Sequence, residues 1–271
     1  MANEYLVNSA DLTAVADAIR AKGGTNGALA FPGGFVEAVG AIQASGGNDL
    51  LKTIVERTAT EIVIPDGVTT IGNYAFAYYS KLERATIPGE VTKIGDYAFF
   101  ECRYLGNVTI ESGVTTIADS AFRYTSALKS IYIPDSVSYI GERAFWYSGI
   151  ESIRLPSGLK ALYGHTFAAT TSLKKVDLPA SLTTMQGMVF TGSGITSLTI
   201  PEKVKDLPAR MVEGCSSLTT VTFLGTPDRI NYATLNSTAI TTINVPWAEG
   251  AVADAPWGAK NATINYNCAG G

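Results

Sequence analysis

Residues 65–76 read PDGVTTIGNYAF, residues 88–99 read PGEVTKIGDYAF and residues 134–145 read PDSVSYIGERAF. Near-copies of one dodecamer in fixed phase mark an internal repeat, and a period of this size decides the architecture before any single element does. Counted from the residue after the apolar residue that closes each copy, the phase runs through Pro65, Pro88, Glu111, Pro134, Pro156, Pro179, Pro201, Leu224 and Pro246. The intervals are 23, 23, 23, 22, 23, 22, 23 and 22 residues, so eight units lie between Ile64 and Val245. The shorter units lose one residue at the same place, at Ser148-Gly149-Ile150, Ser193-Gly194-Ile195 and Thr238-Ala239-Ile240. A deletion confined to one position means that the rest of the unit keeps a fixed register.

Each unit closes on a period-two alternation, as in Val108-Thr109-Ile110 and Ile131-Tyr132-Ile133, which predicts a strand with one buried face. The proline that follows has no amide to donate, so it ends the strand and opens a turn. Val68 and Ile71, with their equivalents, predict a short second strand. Gly72, Gly95 and Gly141 are expected to serve a sharp bend or a positive φ. Phe76, Phe99, Phe122, Phe145, Phe167 and Phe190 then recur in phase. One unit cannot bury its Phe, Leu and Ile/Val positions alone, whereas stacked units bury them as continuous ladders. The expected fold is a mainly β solenoid of about eight such units over residues 48–246, with the recurrent apolar residues as core.

The flanks differ. Ser9 is a candidate N-cap for a helix carrying Leu12, Val15, Ala16 and Ile19 and ended by Gly23-Gly24. Phe31-Pro32 introduces a second helix over about 33–44, so residues 1–47 predict a helical hairpin, either a solenoid cap or an attachment module. Residues 247–271 predict a compact C-terminal cap and tail around two indoles, at Pro246-Trp247 and Pro256-Trp257.

Composition narrows the chemistry. The chain is 46% apolar and 16% charged with a net charge of -4 and no basic run, which disfavours nucleic-acid binding. No apolar stretch reaches the ~18 residues of a membrane span, and the start MANEYLVNSADL lacks the basic and apolar regions of a signal peptide. The single histidine, His165, occupies the phase position of Tyr74, Tyr97, Ser120 and Arg143, and is expected to face solvent. One histidine forms no histidine-based zinc triad, no nucleophile or phosphate-loop motif is present, and carboxylates do not recur in phase. No catalytic residue, metal or cofactor is expected. Cys102 and Cys215 hold related positions five units apart, about 24 Å at a strand spacing of ~4.8 Å, so free thiols are expected there and at Cys268.

The phased pattern resembles the BspA-like (Treponema pallidum type) leucine-rich repeats. Residues 64–87, 87–110 and 133–155 match that family's I-P-x-x-V-x-x-I-G-x-x-A-F signature, and the resemblance covers about 180 of 271 residues. It weakens where Met188-Val189-Phe190, Met211-Val212 and Thr234-Leu235 replace Ala-Phe. The resemblance implies a surface adhesin or interaction protein and no enzyme. Separately, DLTAVADAIRAKGGTNGALAFPGGFVEAVGAI (11–42) resembles a module near the N-termini of tail-associated proteins of phages and prophages of gut Firmicutes, and VPWAEGAVADAPWGAKNATINY (245–266) resembles a tail common in them. These resemblances imply a virion or cell-surface location, and attachment to a virion or a second copy through the N-terminal hairpin.

The outward strand positions are mostly Thr and Ser, a solvated face, with Tyr132 among the exceptions. The segment after each Phe is uneven: the first four units carry Tyr78, Tyr79, Phe100, Tyr104, Tyr124, Trp146 and Tyr147, and the next four carry no aromatic there. Tyr79 aligns with Cys102 and is expected to turn inward. The candidate binding ridge is therefore Tyr78, Phe100, Tyr104, Tyr124, Tyr132, Trp146 and Tyr147, suited to a protein or glycan on a cell surface. Three functions compete: a tail-associated adhesion protein, a bacterial surface or secreted adhesin acting on host proteins or mucosal glycans, and an enzyme built from scattered acids.

Overall fold

A computed structural model describes residue 57 and residues 59–64, 67–237 and 239–268. The predicted N-terminal hairpin (1–47) lies outside the described residues, among which no helix occurs.

The chain winds as a solenoid with three walls per coil. One wall is made of the closing strands: Glu61–Val63, Arg84–Ile87 and Asn107–Ile110, then Ser152–Arg154 and Lys175–Asp177, then Ser197–Ile200, Thr220–Phe223, Thr242–Asn244 and Thr263–Asn265. The second wall is made of two-residue strands such as Thr70–Ile71, Lys93–Ile94, Thr116–Ile117 and Tyr139–Ile140. Every pairing is parallel, and partners sit one repeat apart, as in Ile87↔Ile110 and Val221↔Ile243. Between these walls the proline turns as its chemistry predicts, its carbonyl accepting from the amide three residues on: Val91 to Pro88, Val137 to Pro134, Leu182 to Pro179 and Val204 to Pro201, at 3.0–3.1 Å.

The core is a set of columns that the stacking creates. The rings of Phe76, Phe99, Phe122, Phe145, Phe167 and Phe190 stack in sequence with centroids 5.2–5.8 Å apart. From Phe99 to Phe190 all are fully buried. A parallel inner column runs Tyr79, Cys102, Thr125, Ser148, Thr170, Ser193 and Cys215, all buried. Cys102, Thr125, Thr170 and Cys215 there donate to the carbonyls of Phe76, Phe122, Phe167 and Phe190, so small donors recur at this phase. All three cysteines are free. Exposed Thr and Ser also tie coils together: Thr92, Thr115 and Ser138 each donate to the backbone carbonyl one coil back, at 3.0–3.4 Å.

One local expectation is corrected and two are sharpened. Ile131-Tyr132-Ile133 keeps its inward-outward-inward burial but forms no strand, because core packing enforces alternation whereas a strand requires inter-coil ladder bonds. Gly95 and Gly141 do not adopt positive φ; a Cβ at either would lie 2.7 or 2.2 Å from the oxygen of Asn73 or Asp119, which caps an amide of the next coil. Each opens the expected bend, its carbonyl accepting from Ala98 or Ala144, and glycine is required there by close approach and not by positive φ. Finally, the segment after Trp247 continues the solenoid: Thr263–Asn265 joins the closing-strand wall in register with Thr242–Asn244, and Trp247 and Trp257 bury their indoles against Phe223.

Candidate functional site

The third wall is the segment after the short strand, and two residues per coil there adopt left-handed φ. The first set is Tyr74, Tyr97, Ser120, Arg143, His165, Met188 and Arg210, and the second is Tyr78, Glu101, Tyr124, Tyr147, Ala169, Gly192 and Gly214. Their amides turn to the next coil. Tyr78, Glu101, Tyr124 and Tyr147 donate to the carbonyls of Phe100, Arg123, Trp146 and Ala168 at 2.8–3.1 Å. The segment is thus a hydrogen-bonded wall. A left-handed non-glycine residue costs about 1–2 kcal/mol, and glycine, used at 192 and 214, avoids that cost. Coils with Tyr78, Glu101, Tyr124, Tyr147 or Ala169 at this position therefore bear strain that the glycine coils avoid.

Those bulky side chains meet. Tyr74 stacks on Tyr97 at 4.7 Å, Tyr78 meets Phe100 edge-on at 5.2 Å, and Phe100 meets Tyr124 at 5.8 Å. Tyr124 stacks on Tyr147 at 5.1 Å, and Trp146 lies 5.9 Å from Tyr147. The guanidinium of Arg123 sits 4.2 Å from the Trp146 ring centre, 4.9 Å from that of Tyr124 and 5.5 Å from that of Phe100. His165 stacks on Trp146 at 5.6 Å, and Arg143 lies over the same indole at 5.5 Å. Five of the predicted ridge residues, Tyr78, Phe100, Tyr124, Trp146 and Tyr147, are thus brought into one chain of ring contacts. Tyr104 and Tyr132 are exposed but join no ring pair among the described residues, and Tyr132 belongs to the closing-strand wall. Tyr79 is buried, as its alignment with Cys102 indicates.

His165, expected to face solvent, is partly exposed at the surface, its side chain 26% accessible. Burial lowers the His165 pKa below the ordinary histidine value, the Arg143 charge adds to this, and Glu142 opposes both. Nδ1 of His165 is buried without a hydrogen-bond partner and lies 3.9 Å from Oε1 of Glu142, which pairs with Arg143. Reading for aromatics alone missed Arg123, Arg143, Tyr74 and Tyr97; the phase alignment was the signal available, since all occupy recurrent wall positions.

Among the described residues no group of His, Cys, Asp and Glu is placed to hold a metal. The two main depressions, of about 460 and 640 Å³, lie on the strand walls, the first lined by Lys175, Asp177, Thr199, Pro201, Lys203 and Leu224 and the second by Thr184, Gln186, Asp206 and Arg229. Neither touches the ring cluster. Both mix polar and apolar lining residues, and the preordered wall is the better candidate surface.

Parallel coils of 22–23 residues around an aliphatic and phenylalanine core define a leucine-rich-repeat solenoid. The chain belongs to the BspA type leucine rich repeat family, matched over residues 56–171 and 140–250. A leucine rich cell surface protein of Faecalibacterium prausnitzii is similar at 26% identity and a TM-score of 0.60, over 69% of this chain and 64% of that one. A leucine-rich repeat protein of Bacteroides ovatus is 20% identical with a TM-score of 0.47, over 76% of this chain and 68% of that one. The leucine rich repeat protein of T. pallidum is 18% identical with a TM-score of 0.33, over 78% and 71%. The chain thus spans about two thirds of the length of the first two structures. No curated protein matches the sequence.

Proposed function

We propose that the protein is a non-enzymatic binding protein that presents the aromatic wall of its first coils to a protein or glycan on a cell surface. The observation that carries this reading is the retention of Tyr78, Tyr124 and Tyr147 at left-handed positions that glycine fills elsewhere in the same column. These side chains are already ordered by ring stacking and by inter-coil bonds, so binding loses little rotamer freedom. The non-enzymatic reading rests on the sequence, with its single histidine and no nucleophile motif; hydrolysis of a polysaccharide by the purified protein would sink it.

Attachment to a phage or prophage tail through residues 1–47 is the setting we favour, supported by the resemblance of residues 11–42 and 245–266 to tail-associated proteins. The second reading, a bacterial surface or secreted adhesin acting on host proteins or mucosal glycans, draws support from the cell-surface description of the similar F. prausnitzii protein. Fluorescently labelled full chain should be tested on gut bacterial cells and on mucosal glycans, beside the Tyr124→Ala/Trp146→Ala/Tyr147→Ala variant. Binding to bacterial cells supports the tail protein, and binding confined to mucosal or host targets supports the adhesin. Unchanged affinity in a folded triple variant would remove the wall from the function.

A further inference from the structure

Arg123 is placed differently from its counterparts. Arg84, Arg103, Arg143, Arg154, Arg210 and Arg229 each face a carboxylate. Arg123 has no ion pair among the described residues and faces three rings instead. Its Nε is buried without a hydrogen-bond partner, and one Nη donates only a long 3.5 Å bond to the Tyr124 hydroxyl. A half-buried cation that lacks a counter-ion, in a chain of net charge -4, is costly to hold, and such a group gains most from an anion supplied from outside. The rings also fix its plane, so its free donors are preoriented; an arginine held this way suits the planar oxygens of a carboxylate or phosphate.

We propose that Arg123 is the anion-recognition group of this wall, and that the ligand is a polysaccharide whose units carry carboxylate or phosphate groups. The inference rests on the reading of the wall as the binding face. A glycan fits this surface because an exposed ring beside a fixed guanidinium lets one sugar unit stack and pair its acidic group at once. What the wall offers beside the guanidinium is the exposed flat ring of Tyr147, whose centre lies 5.9 Å from that of Trp146, the indole that carries Arg123. A sugar ring set against Tyr147 thereby brings its acidic substituent within reach of Arg123. Across the indole stands His165, faced by Arg143, Glu142 and Trp146. Its protonation adds a second cation, so affinity for the anion rises as pH falls below the ordinary histidine value, beneath which burial and Arg143 hold this imidazole.

The test uses the full chain and three immobilised polymers: polygalacturonate, its fully methyl-esterified form and a phosphomannan. Binding of either charged polymer at least about tenfold tighter than the ester is expected, one charge-assisted hydrogen bond being worth that factor. Arg123→Gln should abolish the preference, Arg123→Lys should keep part of it, and His165→Gln should flatten its pH dependence. The two charged polymers separate a carboxylate source from a phosphate source. Equal binding of acid and ester by the wild type overturns the inference whatever the variants do. So does a preference that survives in folded Arg123→Gln. Loss of cell binding in the triple variant, with no binding of either charged polymer, leaves the wall as binding face and overturns the anionic glycan. Removal of cell binding by protease treatment of the cells, but not by stripping their polysaccharide, assigns a protein partner and likewise overturns it. If the triple variant keeps full cell binding, the wall reading itself fails.

Discussion

Three glycines, each replaced by alanine, separate two physical roles that look identical in sequence. Gly149 sits at the one-residue deletion of a short coil; an added Cβ would lie 2.0 Å from the carbonyl oxygen of Ser126, one coil back. Both sides of that contact are backbone, and Gly149 also donates to the Thr125 carbonyl at 3.1 Å. Opening the contact by the ångström or more that it needs forfeits that bond and spreads the coils. Overpacking costs about 1–3 kcal/mol and a buried unmade hydrogen bond about 1–3 more, so Gly149→Ala should destabilise by about 3–5 kcal/mol. Gly192 has φ of 67° but no atom nearer than 3.9 Å to the added Cβ, so only left-handed strain applies. That strain is about 1–2 kcal/mol, less the 0.4–1 that alanine removes from the unfolded chain, leaving about 0.5–1. Gly158 has nothing within 4 Å and no positive φ, and Gly158→Ala should be neutral or slightly stabilising. Urea unfolding followed by far-ultraviolet circular dichroism gives all three in one experiment. If Gly149→Ala and Gly158→Ala unfold at the same urea concentration, the close-approach account of the short coils is wrong.

Phe122 is fully buried between rings at 5.2 and 5.6 Å, so Phe122→Ala should cost about 3–5 kcal/mol and Phe76→Ala, at the partly exposed end of the stack, clearly less, both read by the same urea titration. Burial pushes the Cys102 thiol up to about 12 from 9.0, and Tyr79 up to about 12 from 10.0. Folded values above the unfolded ones mean stability that is whole below pH 9 and lost as pH rises toward 12, at a slope of up to about 1.4 kcal/mol per pH unit for each group. Cys102→Ser, conservative because Thr125, Ser148 and Thr170 share its column, should lessen the decline just above pH 9, the remainder coming from Cys215, whose buried thiol is also pushed up. Tyr147→Gly relieves φ of 56° while losing the Tyr124 stack, so thermal stability should change by less than about 1 kcal/mol while cell binding falls; a large loss of stability would mean that the ring is structural.

The period, the proline turns, the phenylalanine ladder and the inward turn of Tyr79 were legible because stacking copies of one unit places like residues on like residues. Any other arrangement strands an apolar face, so the phase alone implies those contacts. The C-terminal coil was hidden for the converse reason: its strand lies 263 − 242 = 21 residues on and carries Trp257 and Ile264 in place of the repeat signature. The left-handed positions were hidden too, because glycine, their usual marker, appears at only a few of them while Tyr, Arg and His fill the others. Gly149 was visible as a deletion, but only the neighbouring coil shows the carbonyl that excludes a side chain.

The candidate site divides along the same line. Sequence alone placed aromatic residues in the first four units and none at those positions afterwards, an asymmetry of composition. The sandwich of Trp146 between Arg123 and His165 joins residues 42 positions apart, 165 − 123, and depends on which side chain follows which along a column. That order also decides that Arg123 meets rings where other arginines meet carboxylates, and that His165 lies against an indole. Local pattern therefore determined the coil and its core, since every unit repeats the same burial problem. Tertiary stacking alone decided the chemistry of the wall, since each charge and ring there takes its environment from unlike neighbours one coil away.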